Sequence, residues 1–202
     1  MLGKNMLIGL DTIDWGALQD AYGSAADVPD RLRALLSDDE AVRSEAMGEL
    51  FGRVWHQGTI YSVSAHVIPF LVELIDAPEV KDKPLIIALL ASIAGGRGYY
   101  EVHEVIVQKL AKRLVDLSPK RREEMSAVKA VREVASPHIP NLLPHLTHPE
   151  AEVRISVAQA LPFYPEHGAL SRGALEQARR SESDPDALTV FDEALVALSR
   201  TA

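Results

Sequence analysis

The chain has 202 residues, enough for one domain or for an array of repeats of the same total size. Apolar residues make up 47% of it and aromatic residues only 5%, so a core would consist mainly of Leu, Val, Ile and Ala. The net charge of -8 argues against a general nucleic-acid binder or a partner of anionic membranes, since both require basic side chains. The lack of cysteine excludes disulfides, thiolate metal sites and a cysteine nucleophile.

No segment has the pattern of a targeting signal or a membrane anchor. Residues 6–10 form a five-residue apolar stretch, which is shorter than the apolar region of a secretory signal. The longest uncharged apolar run, 85–94, has ten residues, about half of what spans a bilayer. We therefore expect a cytoplasmic protein with no membrane partner.

Apolar residues recur at helical spacing along almost the whole chain, and no stretch alternates with period two for long. Residues 1–26 are predicted to form an N-terminal cap with a short helix at 14–22. Residues 27–200 are predicted to form about five antiparallel helix pairs within a single domain, 1–202. The predicted pairs are 27–36 with 39–56, 62–75 with 80–94, 101–117 with 119–134, 137–146 with 149–163, and 169–180 with 185–199.

An internal repeat supports this arrangement. Residues 28–50 align without a gap to residues 139–161, at an offset of 111, with six identities in 23 positions. The identities lie at the apolar and turn positions that a helical hairpin needs. The offset equals three steps of 37 residues, close to one helix pair per step.

The pattern LxxLLxDxxxVRxxAxxxL at residues 32–50 resembles the HEAT-repeat motif, in the short bacterial form also seen in phycobilisome-lyase-like repeat proteins. The second copy, 143–161, is similar to it but has Pro149 in place of the loop aspartate. The resemblance covers about residues 27–199. It implies an all-α fold, a right-handed α-α superhelix of the HEAT-like or armadillo-like solenoid type. The second helices of such pairs usually line a concave surface that binds another macromolecule.

The resemblance also implies a structural role for two arginines. Arg43 and Arg154 each follow a valine that we expect in the core. In the family, such arginines usually bind a loop carboxylate of a neighbouring repeat, forming a structural ladder. Asp38 and Asp76 are the acceptors that we expect here.

Aromatic residues provide one set of candidate binding residues, because eight of the eleven lie in the first half of the chain. Tyr61, Tyr99 and Tyr100 fall in predicted loops between helix pairs, where an exposed aromatic ring suits a protein partner. Ordinary loop packing is the alternative. Trp55 is expected to be half in the core, with its indole N–H free to form a hydrogen bond.

Charged residues provide a second set of candidate binding residues. Residues 1–50 carry ten acidic and four basic side chains, a net charge of -6. On the predicted helix 39–56, Glu45, Glu49, Arg53 and His56 are three or four residues apart and share one face. This face is either simply solvated or an acidic patch that steers a basic partner.

The residues complete no motif for catalysis or metal binding. His145 and His148 are three apart, but Pro149 follows and no carboxylate stands at the required spacing. The glycines near Arg97 lack the lysine and serine of a phosphate-binding loop. We therefore predict no catalytic residue, no metal and no cofactor.

The leading functional hypothesis is a non-catalytic protein-interaction module that binds a partner on its concave face. Residues 55–61 resemble a block of small bacterial HEAT-like proteins, and proteins of this size include inhibitors and toxin-immunity proteins. The alternative is a DNA glycosylase of the HEAT-like type, in which Trp55 would stack on a base. The acidic charge and the lack of an obviously paired aspartate count against it. A third possibility, a bilin lyase or its chaperone, follows only from the name of the repeat family. The sequence leaves the oligomeric state open.

Overall fold

A computed structural model describes residues 6–103 and 118–200 of the protein, and most of these residues are helical. The all-α prediction is therefore confirmed at the level of secondary structure. The helices are α1 (Val28–Ala34), α2 (Glu40–Val54), α3 (Ser64–Asp76), α4 (Lys83–Gly95), α5 (Tyr99–Val102), α6 (Ser118–Ala135), α7 (Ile139–Leu142), α8 (Ala151–Ala160), α9 (Gly168–Arg179) and α10 (Pro185–Arg200).

Short irregular elements complete the described chain. Two hairpins pair antiparallel strands, β1 (Gln19–Asp20) with β2 (Gly23–Ser24) and β3 (Trp55–His56) with β4 (Thr59–Ile60). Turns of 3-10 helix lie at Leu10–Thr12, Trp15–Ala17, Ser136–His138, Leu143–Thr147, Leu161–Phe163 and Pro165–His167. The predicted helix 137–146 is thus α7 with a 3-10 turn on each side, and most of the predicted helix 101–117 lies outside the described residues.

The N-terminal helix predicted at 14–22 does not form. The 3-10 turn Trp15–Ala17 ends at Leu18, whose backbone is extended, and the β1–β2 hairpin follows. Gly23 has a φ of 135°, a conformation that residues with a Cβ rarely adopt. This conformation allows the hairpin to turn. Trp15 is buried, and its indole N–H donates a hydrogen bond to the Leu10 carbonyl at 2.7 Å.

The longer helices pack in a definite order. Helices α2, α4, α8 and α10 lie side by side in that sequence, each in contact with the next. Helix α9 packs against α10 and against the turn Leu143–Thr147. Helix α4 is buried along nearly its whole length, from Ile86 to Ala91 and again at Ile93 and Ala94. Its burial means that α4 offers a partner little open surface.

Most of the first helix of the predicted third pair lies outside the described residues, so this pair stays a prediction. Its second helix, α6, packs against α3, and α4 contacts α8 directly. Small residues permit this close approach, because a Cβ on Gly95 would lie 3.3 Å from the Cα of Ala160. None of the helices in the described ranges is both long and apolar enough to cross a membrane.

Candidate functional site

The two ends of α2 and α4 carry different chemistry. The end at which these helices begin is called the ladder edge. It is defined by Arg43 and Asp82, together with the equivalent residues Arg154 and Glu182. The end at which α2 and α4 finish is called the hairpin edge. It is defined by residues 19–24, 55–61 and 97–100. Since α2 has 15 residues, the two ends are about 22 Å apart.

At the ladder edge, Arg43 joins two successive loops. Its Nη1 donates to the carbonyls of Ser37 and Asp38, at 3.0 and 3.1 Å. Its Nε donates to Oδ2 of Asp82 at 2.6 Å, in the loop that precedes α4. The buried guanidinium therefore satisfies the turn before α2 and binds that turn to the next helix pair.

Arg154 repeats this arrangement. Its Nη1 donates to the carbonyls of His148 and Pro149 at 2.7 and 2.9 Å, which are the same relative positions, six and five residues earlier. Its Nε and Nη2 donate to the two carboxylate oxygens of Glu182 at 2.6 and 2.8 Å. These hydrogen bonds lower the pKa of Glu182. The 111-residue offset read from the sequence thus relates two sets of equivalent hydrogen bonds.

The carboxylate acceptors differ from those that we predicted. Asp38 contributes only its carbonyl to Arg43, and its exposed carboxylate pairs with Lys81 at 3.4 Å. Asp76 is an exposed residue at the end of α3. Asp82 takes the role because it lies immediately before α4, in a left-handed conformation with φ of 54°.

The valines that precede the two arginines also differ. Val153 is 1% exposed, as expected for a core residue, whereas Val42 is 40% exposed. We attribute the difference to position in the row of helices. Helix α8 lies between α4 and α10, but α2 is the first of its row and has α4 on one side.

Arg53 organises the hairpin edge. Its guanidinium contacts three carboxylates, Glu49 at 2.9 Å, Asp20 at 2.8 Å and Asp27 at 3.1 Å. The hydrogen bonds with Glu49 and Asp20 raise the pKa of Arg53, and its presence lowers the pKa of Glu49. The Asp20 side chain is fully buried. Arg53 is therefore committed to holding the β1–β2 hairpin on α2, and Glu49 belongs to the same network.

Backbone hydrogen bonds join the segments of this edge. The amide of Gln19 donates to Oγ of Ser62 at 2.8 Å, which binds the first hairpin to the start of α3. The amide of Ile60 donates to the carbonyl of Arg97 at 3.0 Å, which binds the second hairpin to the segment after α4. The three segments therefore form one continuous surface.

Aromatic rings stand on this surface. Tyr22, at the tip of the first hairpin, is 69% exposed, lies 5.8 Å from the His56 ring and has the Arg53 guanidinium 5.8 Å from its own ring. Tyr99 is also exposed, and the centre of its ring lies 4.4 Å from that of the His103 ring, with the two planes inclined at 48°. Among the residues predicted for partner binding, His56, Tyr99 and Tyr100 thus lie at this edge, and the structure adds Tyr22.

Three predicted residues are less available to a partner. Trp55 and Tyr61 are half-buried against the core, and burial raises the pKa of Tyr61. The Trp55 ring meets Phe51 edge to face, with the ring centres 6.1 Å apart. Glu45 is exposed on α2 but lies more than two turns before the hairpin edge.

A groove of about 490 Å³ lies beside the hairpin edge, between residues 98–101 and α6. We name it the Glu124 groove; Tyr100, Glu124, Met125 and Val128 are among its lining residues. Glu124 is half-buried and accepts a hydrogen bond from the Tyr100 amide at 3.1 Å. Burial raises the pKa of Glu124 and of Tyr100. No sequence motif indicated this groove, since Tyr100 and Glu124 are 24 positions apart.

The structure also brings Ser136 close to Glu166 and His167. The Ser136 hydroxyl donates to Glu166 at 2.5 Å and lies 3.2 Å from Nε2 of His167. In a catalytic triad the carboxylate would instead bind the other imidazole nitrogen. Because the hydroxyl here is already bonded to the carboxylate, the contact serves to link two turns.

Within residues 6–103 and 118–200, no three His, Asp or Glu side chains are grouped so that they could hold a metal ion. No known protein-family model matches the chain, and no curated protein sequence is similar to it. The argument for function therefore depends on the geometry of the site.

Proposed function

We propose that the protein is a non-catalytic interaction module that binds a protein partner through the hairpin edge. The observation that carries the proposal is the exposure of Tyr22 and Tyr99 on a surface held rigid by Arg53 and by backbone hydrogen bonds. Rigid, exposed tyrosines give a large contact area at a small entropic cost, which is why they are enriched at protein interfaces.

The hairpin edge supports this function better than the face of the second helices does. In a HEAT-like superhelix, the second helices would line the concave binding surface. Here α4 is almost wholly buried and can contribute little to such a surface. We therefore place the partner at the ends of the helices, while we keep the right-handed HEAT-like superhelix as the proposed architecture.

A basic partner fits the overall acidic charge of the protein. Residues 1–50 have a net charge of -6, and the whole chain has a net charge of -8. Acidic surfaces raise the association rate of basic partners. A cytoplasmic inhibitor or toxin-immunity protein is the specific role that we propose, because such proteins mask a charged functional surface on their targets.

The test is affinity capture from native lysate with three forms of the protein. We expect the wild type to retain a protein in near-stoichiometric amount, and the double variant Tyr22→Ala/Tyr99→Ala to lose it. Leu170→Ala is the matched control, since Leu170 is a large exposed side chain on α9 and should retain the partner. Equal capture by all three forms would exclude the hairpin edge, and capture of nucleic acid alone would exclude a protein-binding function.

A further inference from the structure

Helix α6 contacts the segment that carries Tyr99 at two points, one on each side of this tyrosine. Before it, the Gly96 carbonyl accepts a hydrogen bond from Nη2 of Arg132 at 2.6 Å. After it, the Tyr100 amide donates to Oε2 of Glu124 at 3.1 Å. Arg132 and Glu124 are eight residues apart on α6, about 12 Å along the helix. A single helix therefore holds the backbone on both sides of the exposed ring.

The position of Arg132 is itself defined by several contacts. Its Nη1 donates to the carbonyl of Ala94, in the last turn of α4, and its guanidinium lies 4.3 Å from the centre of the Phe163 ring. Carbonyls at the end of a helix have no amide partner within the helix, and a cation is favourable there. These contacts fix the guanidinium at the end of α4, so the Gly96 carbonyl has a donor in a defined position.

Gly96 packs tightly against the second hairpin. A Cβ on Gly96 would lie 2.2 Å from Cγ2 of Ile60, so no side chain fits between them. The next residue, Arg97, donates its amide to the Gly58 carbonyl at 2.9 Å and accepts a hydrogen bond from the Ile60 amide at 3.0 Å. The hydrogen bond from Arg132 therefore fixes the backbone at the place where it joins the hairpin edge.

Glu124 supports the backbone on the other side of Tyr99. A Cβ on Gly98 would lie 3.0 Å from Oε2 and 3.3 Å from Cβ of Glu124, so the backbone packs directly on this side chain. The Tyr100 amide is in the first turn of α5, where amides have no carbonyl partner within the helix. Glu124 supplies the acceptor that α5 does not provide.

We infer that Arg132 and Glu124 are positioning residues, which fix Tyr99 in the place where the partner meets it. The inference rests on the proposed function, in which Tyr99 is a contact residue of the hairpin edge. Each of the two residues acts through a backbone hydrogen bond next to Tyr99. An ordered tyrosine loses little conformational entropy on binding, so loosening this segment should weaken the binding of the partner.

The first experiment measures amide hydrogen exchange by NMR in the full-length protein. Glu124→Ala removes the acceptor of the Tyr100 amide, whose exchange should become about tenfold faster, as expected for the loss of one hydrogen bond. Glu124→Gln should keep most of the protection, because its side-chain oxygen can accept the same hydrogen bond. Glu123→Ala, at the neighbouring exposed residue of α6, is the matched control and should leave this exchange rate within about twofold.

The same measurement tests Arg132. Arg132→Met removes the donors, so the amides of Arg97 and Ile60 should exchange about fivefold faster or more, because the backbone between them opens more often. Arg122→Met, at an exposed residue of the same helix, is the control. Thermal unfolding defines a temperature at which all the variants are folded. If Arg132→Met does not fold, Arg132→Lys, which keeps a charged donor, takes its place and should have a smaller effect of the same sign.

Capture from native lysate relates this positioning to binding. Folded Glu124→Ala should retain about threefold less partner than the wild type, and Glu124→Gln should retain nearly as much as the wild type. Unchanged exchange of the Tyr100 amide in Glu124→Ala would overturn the inference, as would equal exchange in Glu124→Ala and Glu124→Gln. So would full capture of the partner by Glu124→Ala despite faster exchange.

The outcomes also separate this inference from the proposed function. If Glu124→Ala leaves exchange unchanged while a partner is still captured in a Tyr22-dependent manner, the positioning role is wrong and the hairpin edge stands. If the wild type captures no protein partner, the proposed function fails, and the exchange rates still decide whether α6 fixes the segment.

Discussion

The ladder edge and the hairpin edge lie at opposite ends of the same helices but use polar residues differently. At the ladder edge, Arg43 and Arg154 satisfy loop carbonyls and bind a carboxylate of the next unit. At the hairpin edge, Arg53 is likewise bonded inward, but Tyr22 and Tyr99 remain exposed above it. The first edge therefore stabilises the packing of the units, and the second holds a surface in a fixed shape.

The comparison separates residues by the effect that their loss should have. Substitutions at the ladder edge should reduce stability and leave partner binding intact in the folded fraction. Substitutions of the exposed tyrosines should do the opposite. The two ladder arginines also differ from each other, since the Glu182 side chain is 4% exposed and the Asp82 side chain is 40% exposed.

The largest effect is expected for Arg154→Ala. The substitution leaves the buried Glu182 carboxylate unpaired and the carbonyls of His148 and Pro149 without their donor. The free energy of unfolding at pH 7, measured by urea denaturation, should fall by about 3–5 kcal/mol. Arg180→Ala, at an exposed residue just after α9, should change it by less than about 0.5 kcal/mol. Equal effects of the two substitutions would contradict the structural role of Arg154.

Arg43→Ala should also lower the free energy of unfolding, but by less than Arg154→Ala does. Water can solvate the half-exposed Asp82 once its partner is removed, so the penalty of a buried unpaired charge is mostly avoided. We expect the free energy of unfolding to fall by about 2 kcal/mol in the same urea experiment. A greater loss of unfolding free energy than for Arg154→Ala would show that burial of the carboxylate does not determine which substitution destabilises the protein more.

The third prediction concerns pH. Because the hydrogen bonds from Arg154 depress the pKa of Glu182 in the folded state, their stabilisation is present above the ordinary glutamate pKa of about 4.3. It is lost as the pH falls through the lower folded value. The difference in unfolding free energy between wild type and Glu182→Gln should be about 1–2 kcal/mol at pH 7 and should narrow below pH of about 4.

Arg154→Ala supplies the control for this titration. In that background, Glu182→Gln should produce a smaller narrowing, because the largest cause of the lowered pKa has been removed and only the hydrogen bonds from the Ser183 and Asp184 amides remain. A difference that stays constant between neutral and acidic pH in the wild-type background would show that the interaction does not titrate as proposed.

The smallest effect on stability is expected for Tyr22→Phe. The Tyr22 ring is exposed, so loss of its hydroxyl should change the unfolding free energy by less than about 0.5 kcal/mol. Tyr164→Phe is the matched comparison, because Tyr164 is buried and its hydroxyl donates to the Ala94 carbonyl at 3.0 Å. That variant should lose about 1 kcal/mol or more in thermal or urea unfolding. The reverse order would mean that the hairpin edge is a structural edge.

Local patterns in the sequence were enough to predict most of the helices in the described residues and one part of the ladder. The shared Val-Arg step predicted that Arg43 and Arg154 hold equivalent positions, because helical spacing and loop length are local properties. Their acceptors, Asp82 and Glu182, lie 39 and 28 residues further on, in loops of different sequence. Spacing alone could not select them from the many acidic residues nearby.

Tyr22 shows a second limit of prediction from the sequence. Assigning residues 14–22 to a helix concealed the fact that this tyrosine stands at the tip of a turn. Gly23, directly after it, was the available signal, since glycine readily adopts the positive φ that a tight turn requires. The packing of α6 against α3 could not be predicted in this way, because it joins helices that are distant in the sequence and no local pattern specifies the contact.

The most direct test measures the affinity of the captured partner for two variants by isothermal titration calorimetry. One is Tyr22→Ala/Tyr99→Ala, and the other is Arg43→Lys, used at a temperature at which both are folded. We expect the tyrosine variant to bind at least about tenfold more weakly than wild type. Arg43→Lys should bind within about twofold of wild type, since Arg43 lies about 17 Å along α2 from Val54, where the hairpin edge begins. Weaker binding by Arg43→Lys together with unchanged binding by the tyrosine variant would contradict the assignment of the two edges.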